Sequence, residues 1–304
     1  MCGILFWVPP SGAQQTSWRD GYFPNAALTD HNGRTVRFYD DLLRGKVVAI
    51  SFVFTNCTDV CPLDIAQMRR VQEILGDRVG RDIHFYSISI NPERDTPVQL
   101  RRTMQTYGVG PGWTFLTGSV ADIDELQRRF GLNPAERDNL GNHEASIIMG
   151  NEATGQWIKR SSFESPHNLA NILGSTLNNY AQRGDPTARR QSYAVAGQVT
   201  DTSRGAYLYR TRCQACHTIG GGDRLGPDLR GVAGTRNEAW LHRWIREPDV
   251  MIAERDPLAV SLLARYRNLP MPNLGLGENE VREIVGYLRQ QDATHQHRGA
   301  PAAR

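Results

Sequence analysis

Two cysteine pairs of different spacing constrain this chain more than anything else in it. The stretch "NCTDVCP" at 56–62 puts three residues between Cys57 and Cys61, whereas "CQACH" at 213–217 puts two between Cys213 and Cys216 and follows them at once with His217. A chain of 304 residues can give each pair its own domain and its own core. What each pair holds is therefore the question that decides fold and function together.

Cys213, Cys216 and His217 form C-x-x-C-H, which reads as covalent attachment of a c-type haem. On one helical turn both thiols face the same way and can form thioethers to two vinyl groups, while the next residue aims an imidazole at the iron. The bland alternative is a zinc or redox C-x-x-C with a chance histidine beside it.

The surroundings of this motif resemble the class I cytochrome c family over residues 199–291. Gly205 and Tyr209 stand at the spacing of the family's helix-contact positions. "GPDLRG" (226–231) resembles the loop whose Pro227 carbonyl accepts from His217, and "LPMPNLG" (269–275) resembles the methionine-ligand loop. The resemblance implies haem c with His217 and Met271 as axial ligands, and with Tyr287 of "EVREIVGYL" against the haem crevice. Met251 is the rival ligand but lacks the flanking prolines. A Met/His pair raises the potential and leaves no open site, which implies electron transfer.

Ahead of this region the pattern alternates. "KVVAISFVF" (46–54) reads as a buried strand ending just before Cys57, and "CPLDIAQMRRVQEILGD" then shows apolar residues at near-helical period with Pro62 in its first turn. "DIHFYSISI" (82–90) is a second strand. Helices are predicted over 96–108 and 121–131, a hairpin over 145–151 and 155–162, and a closing helix after Ser165. This order gives a thioredoxin-like sandwich, although a flavodoxin-like order shares the pattern. The fold class expected is an α/β thioredoxin-like domain followed by an all-α cytochrome c domain.

Cys57 and Cys61 occupy the helix start at which thioredoxin-type enzymes keep C-x-x-C, but with a wider gap. Two soft thiolates one helical turn apart make half of a copper(I) site, whereas zinc wants four closed ligands. The stretches "FVFTNCTDVCP", "SISINPERDTP" (87–97), "WTFLTG" (113–118) and "SIIM" (146–149) together resemble the Sco/SenC family of copper proteins over residues 20–175. That resemblance implies one copper held by Cys57, Cys61 and a distant histidine, Asp59 as a nearby acid, and service in assembling the binuclear copper centre of a respiratory oxidase. The sequence departs at the histidine: its slot before Ser146 is Ala145, and His143 two residues earlier is the candidate third ligand. His84 reads as a packed strand residue, and His31 and His167 have no motif behind them.

The remaining chain sets the context. "MCGILFWVPPSGA" at 1–13 reads as a signal peptide that lacks its basic region; its removal would take Cys2 and leave no cysteine over, as suits an exported, periplasmic protein. The domains expected are 14–181 and 199–291, with a linker at 182–198 and a disordered tail at 292–304 that carries His295 and His297. The 35 Lys and Arg against 32 Asp and Glu leave a formal charge of +3, too little to make nucleic acid or an anionic membrane the main partner. No apolar run reaches the roughly 20 residues of a membrane span, so membrane association is not required.

The partners expected are a respiratory oxidase subunit or another copper-enzyme client, and a redox protein. Disulfide potentials run from about −0.1 to −0.3 V, and a Met/His haem sits well above them. Reducing a Cys57–Cys61 disulfide from such a haem is uphill by about 9 kcal/mol for a gap of 0.2 V. One-electron exchange between haem and copper has no such obstacle. The competing functions are a thiol-disulfide oxidoreductase or thiol peroxidase acting through Cys57 and Cys61, and a plain electron carrier with a docking domain.

Overall fold

The computed structural model describes residues 21–57, 61–134, 136, 140, 146–178 and 201–299. The signal peptide, Asp59, His143 and the linker of the sequence reading lie outside them.

The first domain is built on a seven-stranded mixed sheet in the order β2-β1-β5-β4-β3-β6-β7. Its centre is β3 (Val47–Val53), paired in parallel with β4 (Ile83–Ser89) and antiparallel with β6 (Ser146–Asn151). Every residue of β3 is buried, as its continuous β-branched and aromatic run requires of a strand covered on both faces. β5 (Trp113–Thr117) extends the parallel side, and β7 (Gln156–Ser161) closes the predicted hairpin against β6. β1 (Ala27–Asp30) and β2 (Thr35–Arg37) add an antiparallel edge that the sequence reading did not include.

Among the described residues four α-helices cover this sheet: α1 (Cys61–Leu75), α2 (Pro97–Tyr107), α3 (Val120–Arg129) and α4 (Pro166–Asn171). α2 starts at a Thr96 cap and stops at Gly108, which takes φ 62°. The parallel strands, the crossover helix α1 and the antiparallel β6–β7 hairpin make this a thioredoxin-like fold. Its topology brings the end of β3, the start of α1 and the start of β6 to one end of the sheet.

No strand occurs in the second domain among the described residues. α5 (Arg204–Leu208) leads to the cysteine motif, and α10 (Glu278–Gly299) crosses it at Gly205, where a Cβ would stand 2.2 Å from the Glu283 carbonyl oxygen. Between them the chain forms α6 (Val232–Thr235), α7 (Glu238–Arg246), α8 (Pro248–Ala253) and α9 (Pro257–Arg265). α7 buries Leu241, Trp244 and Ile245, and α10 buries Val281, Ile284, Val285 and Leu288 at helical period.

Pro248 and Pro257 stand in the first turn of α8 and α9, where a missing N–H does no harm. One expectation changes here. The tail expected to be disordered from 292 is helical through Gly299, because "DATHQHR" holds neither glycine nor proline to end α10 sooner.

Candidate functional site

Cys57 follows the end of β3 and Cys61 is the first residue of α1; they are 8% and 1% exposed. The two thiols lie within hydrogen-bonding reach of each other. Burial pushes the Cys61 thiol well above its ordinary value, and the Cys57 thiol adds to that shift. Two buried soft sulfurs facing one another are a donor set suited to copper(I), whose charge would offset the cost of two buried thiolates.

Two acids that the sequence reading did not select shape this end of the sheet. Asp64 lies one helical turn after Cys61, fully buried, and burial raises its carboxyl to about 7 against the pull of the Ser162 hydroxyl. Its position three residues past a cysteine on an otherwise apolar helix face is the signal that would have found it. Asp95, also buried, accepts from the Thr55 amide at 3.1 Å, the Thr55 hydroxyl at 2.5 Å and the Ser89 hydroxyl at 2.6 Å. It thereby pins the loop two residues before Cys57 to the end of β4.

The histidines separate clearly. His84 is a half-buried residue of β4 that stacks on Tyr86 with centroids 6.5 Å apart, and the His31 ring packs beside Phe115, whose amide lies 3.4 Å from Nδ1. His167 lies in the first turn of α4. Among the described residues no group of three His, Cys, Asp or Glu side chains converges on a metal position. Ser146, three residues after His143 in sequence, starts β6 at the end of the sheet where β3 delivers Cys57.

In the second domain α5 continues into a wider helical turn over Tyr209–Cys213, closed by Gln214 N donating to Tyr209 O at 2.9 Å. Such widened turns recur at functional positions. His217 N and Cys216 N then donate to Cys213 O at 2.9 and 3.1 Å, which makes the motif itself one helical turn. The Pro227 carbonyl accepts from His217 Nδ1 at 2.8 Å, leaving Nε2 as the ring nitrogen for a metal. Gly226 lets that loop approach, since a Cβ there would stand 2.5 Å from His217 Cε1.

Cys213, Cys216, His217 and Met271 line one cavity of about 370 Å³, walled by Trp240, Leu241, Leu276, Ile284 and Leu288. Burial raises both cysteine thiols there to about 12, so neither is poised as a free thiolate. An apolar cavity with two neutral thiols at one edge, a neutral imidazole and a thioether fits a covalently attached haem. Met251 is buried instead against Trp244 and Ala259, outside the cavity wall.

Tyr287 is a correction. It does not line the cavity but packs on Tyr209 with centroids 5.5 Å apart, its Cβ close over Gly205. Ile284 and Leu288, four residues apart on α10, form the cavity-facing stripe, and Tyr287 stands on the adjoining face.

A family model described as SCO1/SenC matches residues 20–178, and one described as Cytochrome c matches residues 202–292. The chain belongs to the SCO1/SenC family. To its Sco region is joined a cytochrome c domain. A SCO1 protein homolog of Bacillus subtilis is 38% identical over 123 residues, covering 40% of this chain and 56% of that protein. The sco1 protein of Schizosaccharomyces pombe is 27% identical over 158 residues, covering 49% of this chain and 58% of that protein. A solved SCO1/SenC family lipoprotein from Bacillus anthracis is 25% identical with a TM-score of 0.45, over 51% of this chain and 94% of that one. The chain spans about half the length of the first curated relatives it matches.

Proposed function

We infer that this family member is an exported, periplasmic copper-handling protein that receives copper at Cys57 and Cys61 and passes it on. The client would be the binuclear copper centre of a respiratory oxidase or another copper enzyme. The observation that carries this reading is the pair of buried thiols facing each other at the start of α1. His143 is the third ligand in this reading, supported by the start of β6 at the cysteine end of the sheet. Copper is cargo here, so the site has to release it as well as hold it.

In the second domain Cys213 and Cys216 would attach haem c, and His217 and Met271 would hold its iron. When bound, the haem supplies a one-electron couple matched to copper(I)/copper(II). The protein's own contribution is positional: Pro227 fixes the imidazole plane, Gly226 allows that approach, and the α7 and α10 stripes exclude water.

The deciding experiment is copper stoichiometry and the copper–thiolate absorption of purified haem-loaded protein, for the wild type and for His143→Ala. One copper per chain, with a thiolate band perturbed by His143→Ala, supports the three-ligand chaperone site. Absence of copper in the wild type, with Cys57 and Cys61 cycling between dithiol and disulfide, would sink it in favour of a thiol-disulfide oxidoreductase or thiol peroxidase. Normal haem reduction kinetics after loss of both Cys57 and Cys61 would favour a plain electron carrier.

A further inference from the structure

The two domains meet along the first turn of α1. Leu63 and Ala66, buried on α1, pack with Ala215 of the cysteine motif and with the partly buried Phe163, Cys216, Leu225 and Leu274. Leu63 is also a wall of the cavity that contains Cys213, Cys216, His217 and Met271, and among the described residues it is the first domain's one contribution to that wall. It stands two residues after Cys61. One helical turn therefore carries a proposed copper ligand and closes the cavity of the other domain.

The contact continues beyond that turn. Leu225 and Leu269 pack against the first domain's core cluster, which includes Met68 and Tyr107. Arg267 Nη1 approaches the Thr106 carbonyl oxygen at 3.5 Å, at the C-terminal end of α2. Arg267 and Asn268 both take left-handed backbone conformations, φ 59° and 55°, two and one residues before Leu269. Non-glycine residues persist in that region only where the surroundings hold them. Tyr107 is 7% exposed, and burial raises its phenol, with the Cys216, Cys61 and Cys57 thiols pushing the same way.

We propose that the first turn of α1 is a shared wall, through which the Cys57–Cys61 site docks on the thioether edge of the haem pocket and modulates it. The inference rests on the haem and copper readings above. It assigns the cytochrome a fixed intramolecular partner, so an external redox protein must use another face. Copper loading at Cys61 would shift Leu63 and with it the packing and water exclusion at that edge of the haem.

The test uses full-length haem-loaded protein. Small-angle scattering of the wild type should give one compact body. Spectroelectrochemical titration should give a lower haem potential for Leu63→Ala, where water gains access to the pocket edge, with haem content retained. One equivalent of copper(I) should shift the wild-type potential and shift that of Leu63→Ala less. Phe163→Ala, at the rim of the same contact, serves as a second variant should Leu63→Ala fold poorly, with the same direction expected. Two separated scattering bodies, or potentials unchanged in both variants, would overturn the proposal. Failure to bind copper would refute the copper reading and leave the variant potentials to judge the docking. Absence of covalent haem from the spectrum would refute the haem reading and overturn the proposal with it.

Discussion

Arg212, the residue directly before Cys213, places its guanidinium carbon 3.6 Å from the centre of the Phe163 ring, which belongs to the other domain. Both side chains are partly buried, and Arg212 Nη1 has no hydrogen-bond partner there. The ring face is thus what offsets the desolvation of that cation. A desolvated cation–π contact contributes about 2 kcal/mol. A double-mutant cycle with Phe163→Leu and Arg212→Ala should therefore give a coupling of about 1–2 kcal/mol in urea unfolding. Strict additivity would show that the pair contributes nothing to holding the domains.

Asp95 receives three hydrogen bonds in a buried setting, two of them from Thr55. Asp95→Ala would leave one buried and two part-buried donors without their acceptor, a loss of about 2–3 kcal/mol in denaturant stability. Because Thr55 precedes Cys57 by two residues, the same change should weaken copper retention against a competing chelator. Asp95→Asn keeps an acceptor oxygen and should lose less on both measures. Equal losses for the two variants would argue that charge, and not acceptor geometry, sets the loop.

How much of this was legible in the sequence differs by element. β3 and β4 announced themselves because strands buried on both faces must be continuously apolar, and the β6–β7 hairpin by its two runs about a turn. β1 and β2 were not legible: four and three residues of mixed character bury only Leu28 and Asp30 fully, and they become strands because β1 pairs with β5 and β2 with β1. In the site, the motif residues could be read because chemistry fixes their spacing. Asp95 was quoted within "NPERDTP" but given no role, because its partner Thr55 is 40 residues away in sequence. Leu63 looked like any core position of a helix, and nothing local says that the surface it meets belongs to a second domain.

Gly226 gives a sharp test of the haem pocket. Its amide donates to Cys216 O at 3.0 Å, so the loop cannot retreat to admit a side chain. A Cβ would meet the His217 ring at 2.5 Å. Gly226→Ala should displace the imidazole, weaken axial ligation in the visible spectrum and lower stability by about 1–3 kcal/mol. Copper stoichiometry should stay at the wild-type value. An unaltered haem spectrum would show that His217 has a different position in the loaded protein.

Asp64 sets a pH dependence whose sign follows from burial. Its carboxyl titrates at about 7 in the folded protein, because burial disfavours the charged form. In the unfolded chain the same group titrates at about 3.9. Between those values the folded state holds a proton that the unfolded state has lost, so folding stability falls as pH rises. The contribution is fully present below about pH 4 and gone above about pH 7, amounting to up to about 4 kcal/mol. Asp64→Asn cannot ionise, so it should remove this slope and make the protein more stable than wild type at pH 8. Urea unfolding of copper-free, haem-loaded protein at pH 5, 6, 7 and 8 measures it directly. A wild-type slope unchanged in the variant would assign the pH dependence to other groups and place Asp64 in a more polar setting than its burial suggests.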